Sequence, residues 1–328
     1  MATIENKKEI NYTKADATHI KFPVTDREAH FDWWYFDAHF DNGDHFVVMY
    51  SLNDTRLNPR QPSVRLNIYP KGELEIRKIK EYTEADVTTS YEKCDATFGQ
   101  EYCKDCGDHY ELYTMIDGYG AKLKLNKKNH PFTTEGYPVP MGWTVAVPSG
   151  PIEGELYKGG QAIKVKGIGY HDHNWGEKSL AGAFKNWYWG KIHTPDISVD
   201  YSMMIGLNGD IAVTGALITD ETSIYMSPLD IYEEPNISKI VGVINATMTE
   251  KTMGYTFAKD FTLKGAKGDF SFIANIKLEK IVMIEKAEVA KSEDAYRYIA
   301  KEELIVTKNG ETKTYHTNGL HEIVYLNQ

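Results

Sequence analysis

Two segments of the chain repeat one another. FDWWYFDAHF begins at Phe31 and FKNWYWGKIH at Phe184, and both read Phe-x-x-Trp-Tyr-aromatic, 153 residues apart. Downstream, Leu52-Asn53 and Leu207-Asn208 match at an offset of 155. Two matched aromatic segments in the same order predict a duplicated β unit. The duplication divides the chain near Val165 into halves of about 165 residues, a size that suits a barrel or sandwich of roughly eight to ten strands each. Runs such as HFVVMYSL, YELYTMI, IAVTGALIT and FSFIANIKL are short, β-branched or aromatic, and bounded by turn residues. The NGD triplets at 42–44 and 208–210 and KNGE at 308–311 are hairpin signals. Helical periodicity is scarce. The best candidate is EKAEVAKSEDAYRYIAKEE (285–303), which also reads as a hairpin. The Pro/Gly-rich segment 136–156, with Trp143 and several valines, is expected to be an extended strand wrapping between the halves.

The 328 residues carry a formal net charge of −10, which disfavours nucleic acid and anionic membrane surfaces as partners. MATIENKKEI lacks the apolar run of a secretory signal, and no stretch approaches the roughly 20 apolar residues of a spanning helix. A cytoplasmic location is therefore expected. Three cysteines do not make a disulfide framework. The Asn-x-Ser/Thr triplets at Asn53, Asn236 and Asn245 are read as chance matches.

The chemistry concentrates in GIGYHDHNWGE (167–177). If this is a strand, its period of two places His171, His173 and Trp175 on one face, and Tyr170, Asp172 and Asn174 on the other. The same rule groups Trp33, Tyr35 and Asp37, and separately Trp187, Trp189, Lys191 and His193. Aromatic walls interrupted by ionisable groups predict a deep apolar pocket with a few polar anchors. Two metal sites are weighed and not adopted. His171-x-His173-x-x-x-Glu177 has the spacing of a first cupin motif, but no second motif follows. Cys94, Cys103, Cys106 and His109 have spacings that could close a structural zinc tetrahedron, against the plainer reading of a loop with surface thiols.

The YHDHNWG core, FDWWYFDA and the Gly-Tyr-Pro-x-Pro-x-Gly-Trp lead-in resemble the carotenoid 1,2-hydratase (hydroxyneurosporene synthase) and AttH-like superfamily, to which fungal lipocalin-like Diels–Alderases are related. The resemblance implies a mostly β protein of two calycin- or lipocalin-like antiparallel barrels packed side by side, residues 1–164 and 165–328, with the motif in the second. It implies an apolar substrate in an aromatic-lined pocket. Carried onto this chain, it points to His173 and Trp175, and more loosely to Asp200 and Tyr201.

The expected activity is acid-catalysed hydration or dehydration at a carbon–carbon bond of an isoprenoid or other polyene-like substrate, without metal or organic cofactor. A cofactor-independent cyclase and a non-catalytic carrier of hydrophobic ligands are the alternatives. Catalytic candidates are His173, Asp172, Asp37, Asp200 and Tyr201. Substrate-binding candidates are Trp33, Tyr35, His171, Asn174, Trp175, Trp187 and Trp189. His173 is expected to be indispensable. An alkene is protonated only by an acid that stays neutral near pH 7, which burial can achieve. Asp172, bracketed by two histidines, is expected to be ionised and structural, leaving Asp37 or Asp200 as the acid.

Overall fold

The computed structural model describes residues 10–28, 30–139, 141–177, 184–230, 239–287 and 293–326. Two antiparallel sheets, of 12 and 9 strands, account for the described strands. A four-residue helix, Tyr12–Ala15, and a 3₁₀ turn, Glu84–Asp86, are short helical elements among the described residues. Each sheet curls into a lipocalin-like barrel, and the two barrels pack side by side. Among the described residues, no helix is long and apolar enough to cross a membrane.

Local chemistry explains the hairpins. Asn309 and Gly310 both take positive φ (52° and 80°), the conformation of a type I′ turn, and join Glu293–Lys308 to Glu311–Leu326. Gly43 and Gly209 likewise adopt positive φ at the two NGD turns. The helical reading of 285–303 gives way to strands: Phe270–Glu285 pairs with Glu293–Lys308, Glu285 opposite Ala295. Residues 288–292 lie outside the described residues, as does Asn236.

The expected division at 164/165 falls inside a strand. Gln161–Gly176 hydrogen-bonds to Phe31–Phe40 on one side and to Gly142–Lys158 on the other, so the motif belongs to the first sheet. The chain changes sheets between Gly176 and Phe184. The 136–156 segment likewise supplies a full member of the first sheet, the strand Gly142–Lys158, instead of wrapping between halves.

The repeat is real in topology and displaced in register. Phe31–Phe40 and Phe184–His193 each sit between the strand that follows them and the long last strand of their own sheet. Trp34, however, is fully buried in the first barrel, whereas Trp187 lies between the barrels, and the residue facing the second interior is Tyr188. Faces agree at an offset of 154, which equates Trp33 with Trp187, Tyr35 with Trp189 and Asp37 with Lys191. A bulge between Phe184 and Asn186 absorbs the difference. A one-residue slip exchanges the faces of a strand, so the apparent sequence match paired an inward residue with an outward one.

Three apolar clusters follow from the strand period. One fills each barrel, and a third joins them across the interface through Tyr35, Tyr170, Val145, Leu217, Leu320 and Val324.

Candidate functional site

A cavity of about 460 Å³ opens between the barrels, within the usual range for a small-molecule site. The first barrel contributes Trp33, Tyr35, Trp143, Asp172 and Asn174, and the second Trp187, Trp189, Met204, Arg297 and Glu322. Each comes from the outward face of a strand whose alternate residues fill its own barrel. One end is aromatic. The other end is charged, where Arg56 meets Glu285 and Glu293 at 3.4 Å each and Arg297 meets Glu322 at 3.1 Å. Arg297 also donates to Tyr69 Oη at 3.1 Å and to Asn67 Oδ1 at 3.3 Å, tying the barrels together.

Asp172 fronts this cavity from the first barrel. Its Oδ2 accepts from Trp143 Nε1 at 2.9 Å and Tyr170 Oη at 2.8 Å, and its Oδ1 accepts from Asn174 Nδ2 at 2.9 Å. Burial raises its carboxyl to about 6, overriding Trp143, Tyr170 and His171, which favour the charged form. Asp172 therefore holds its proton to a higher pH than its place between two histidines in the sequence suggests, for a geometric reason. The flanking histidines point through the sheet to the opposite face, which leaves burial as the dominant influence on the carboxyl.

Asp200 and Asp37 surround the same region. Asp200 is fully buried, neither oxygen has a hydrogen-bond partner, and burial lifts it well above the usual carboxylate range. Asp37 accepts from Tyr35 Oη at 2.9 Å and is ion-paired with Lys191. Lys191 Nζ also sits 5.0 Å from the Tyr170 ring centroid and 4.9 Å from that of Trp189. The Asp37–Lys191 pair lines a smaller crevice of about 300 Å³ together with His39, His45 and His193. Burial holds His45 and His193 neutral, at about 3.

The remaining candidates lie elsewhere. His171 and His173 are fully buried in the first barrel: His173 Nε2 meets Asp32 Oδ1 at 2.7 Å and His171 Nε2 meets Asp16 Oδ2 at 3.1 Å. Trp175 shares their face and stacks on His19 at 3.7 Å. Tyr201 is buried in the second barrel, 2.7 Å from His321 Nδ1. The motif therefore divides by strand parity. Asp172 and Asn174 face the cavity, whereas His171, His173 and Trp175 do not. Glu177 is exposed, so the cupin-type set does not converge. The four-ligand zinc set also separates: Cys94 and Cys103 are buried in the first barrel with sulfurs 3.8 Å apart, while Cys106 is exposed.

Tyr170, Trp143, Lys191, Arg297 and Glu322 complete the site. Tyr170 and Lys191 lie on strand faces legible from parity, and Glu322 carries a repeat signal. Gly319-Leu320-His321-Glu322 repeats Gly169-Tyr170-His171-Asp172 at an offset of 150, and Glu322 occupies the place in the second barrel that Asp172 holds in the first. No local pattern marks Arg297.

No family model matches the chain, and no curated protein matches it in sequence. Its fold is shared with solved structures. A Nitrosomonas europaea protein provisionally identified as AttH superposes with a TM-score of 0.65 at 13% identity, covering 93% of this chain and 97% of that one. CghA in complex with Sch210972 gives 0.63 at 9% identity, with 96% of each chain covered. Kievitone hydratase from Nectria haematococca gives 0.57 at 17% identity, covering 90% and 89%. At these identities the likeness establishes the two-barrel fold.

Proposed function

We propose that the chain is an enzyme that adds water to, or removes it from, a carbon–carbon bond of an apolar unsaturated substrate, isoprenoid or polyene-like, held between the barrels. One observation carries the reading: a carboxyl raised to about 6 faces an aromatic-walled cavity of ligand size. Protonated Asp172 transfers its proton to an alkene carbon. The π pair forms the new C–H bond and leaves a carbocation, which the faces of Trp33, Trp187 and Trp189 stabilise at about 0.5–2 kcal/mol each. Water attacks the cation and returns a proton to the Asp172 carboxylate. Dehydration is the reverse, with Asp172 protonating the departing hydroxyl. Oδ1 has one donor against two on Oδ2, which leaves it the better seat for the proton. Asp200 and the Asp37–Lys191 pair set the field around Asp172.

The likeness to a kievitone hydratase supports a hydro-lyase. The likeness to CghA, solved with a small molecule, supports a second reading in which the cavity folds a polyene for cyclisation and Asp172 contributes only a hydrogen bond. Incubating the enzyme with apolar cell extract in heavy-oxygen water separates the readings. A hydratase yields a product heavier by one labelled water, and Asp172→Asn abolishes it. A product of unchanged mass without label supports the cyclase. Ligand retention without turnover supports a carrier.

A further inference from the structure

The interior of the first barrel holds a second constellation that the reaction above does not use. Asp16, Cys94 and His171 are fully buried, and their ligand atoms lie within 4.8 Å of one another. His173 adjoins them, with Nδ1 3.8 Å from Asp16 Oδ1.

Hydrogen bonding accounts for only part of this arrangement. Asp16 Oδ2 is satisfied by Tyr110 Oη at 2.7 Å and His171 Nε2 at 3.1 Å. Asp16 Oδ1 and His173 Nδ1 have no partner at all. Their 3.8 Å separation is too long for a hydrogen bond, which needs about 2.7–3.2 Å. Donor atoms about 2.0–2.3 Å from one tetrahedral ion, by contrast, stand about 3.3–3.8 Å apart.

The tautomers point the same way. His173 Nε2 lies 2.7 Å from the Asp32 carboxylate, an acceptor, so that nitrogen carries the hydrogen and Nδ1 presents a lone pair to Asp16. Asp32 is itself fixed by the backbone N–H groups of His19 and Ile20. His171 Nδ1 lies 2.9 Å from the Tyr35 carbonyl and donates there, while Nε2 donates to Asp16 Oδ2 and must give up that proton for an ion to bind. Each imidazole thus has its far nitrogen anchored by an oxygen acceptor, the usual support for a metal-bound histidine. Stacking on Phe36 (3.8 Å) and Trp34 (4.8 Å) locks both rings.

We propose that Asp16, Cys94 and His171 bind a divalent transition-metal ion of the zinc class, with the neighbouring His173 drawn in as the fourth ligand, and that this ion braces the first barrel. One carboxylate, one thiolate and two neutral imidazoles balance the dipositive charge and match the mixed N/S/O donors zinc accepts. Cys103, whose sulfur is 3.8 Å from that of Cys94, flanks the site. The exposed Cys106, His109 and Glu111 form a separate group that could take up metal adventitiously.

The test uses the full chain carrying Cys106→Ser, stripped with chelator and titrated with Co²⁺. The expected result is one equivalent bound per chain, with a thiolate-to-cobalt charge-transfer band that Zn²⁺ displaces. His173→Gln should keep the band and weaken binding at least tenfold, Cys94→Ser should lose the band, and Cys103→Ser should keep it. X-ray absorption of the zinc-loaded chain needs no ligand variant, and should find one sulfur at about 2.3 Å with nitrogen or oxygen at about 2.0–2.1 Å. A folded chain that binds no stoichiometric metal overturns the proposal. So does a zinc shell without sulfur, or a band that survives Cys94→Ser.

Discussion

Asp172 and Glu322 occupy equivalent positions in the two barrels. Asp172 pairs with Tyr35 across its sheet and Glu322 with Trp189, and the rings of Tyr35 and Trp189 meet edge to face at 5.4 Å across the interface. Their surroundings differ. Glu322 is salt-bridged to the guanidinium of Arg297, whereas the donors to Asp172 are all neutral. A carboxylate matched by a fixed cation keeps its charge, while one buried among neutral donors can hold a proton. On the proposed reading, this difference in surroundings favours Asp172 as the acid.

Asp172→Asn should lower turnover by about 10²-fold or more, the usual scale of a general acid, with the fold retained. In the wild type, the rate should fall as pH rises through about 6, because the protonated form is the active one. The same shift makes a stability prediction. The folded carboxyl sits above the unfolded value, so the folded chain binds the proton more tightly. The resulting contribution, on the order of 3 kcal/mol, is fully present below about pH 4 and is lost as pH climbs through about 6. Denaturant titrations across that window should show the difference between wild type and Asp172→Asn. Parallel curves would reject the raised carboxyl.

Trp143→Phe removes the indole N–H that stabilises the charged form of Asp172. The Asp172 pKa should rise further, moving the alkaline limb of the pH–rate profile upward by up to about one unit. Carbon-13 NMR of the Asp172 carboxyl would read the shift directly, and a downward move would contradict the assigned bond.

Lys191→Met leaves Asp37 buried without its cation, and should destabilise the chain by about 3–5 kcal/mol. Adding Asp37→Asn should recover most of that loss, because the uncompensated charge is what costs. A double-mutant cycle by chemical denaturation checks this. Additive losses would mean that the pair is not coupled.

Tyr201→Phe should lower stability by about 1–2 kcal/mol through the lost bond to His321, and leave turnover near the wild-type value. Tyr201 lies inside the second barrel, away from the cavity, so a large loss of rate with an unchanged melting temperature would return it to the reaction.

The sequence by itself determined what its local periodicities encode. Alternation and turn chemistry specify strands, so Asn309-Gly310 and the two NGD turns are legible from neighbouring residues alone. The aromatic repeat announced two similar β units, and parity sorted His171, His173 and Trp175 from Asp172 and Asn174. It could not say which set faces substrate, because each face of a barrel strand can be apolar when two barrels share a wall. Only tertiary packing decided that the histidines point into the first barrel and Asp172 into the gap. Packing also placed the motif in the first sheet, since hairpin pairing of 142–158 with 161–176 outweighs an even division of the chain. The bulge at Phe184–Asn186 inverted the apparent equivalence of Trp34 and Trp187. The raised carboxyl of Asp172 was equally illegible: it depends on burial and on Trp143 and Tyr170, groups that meet across the fold and leave no spacing along the chain.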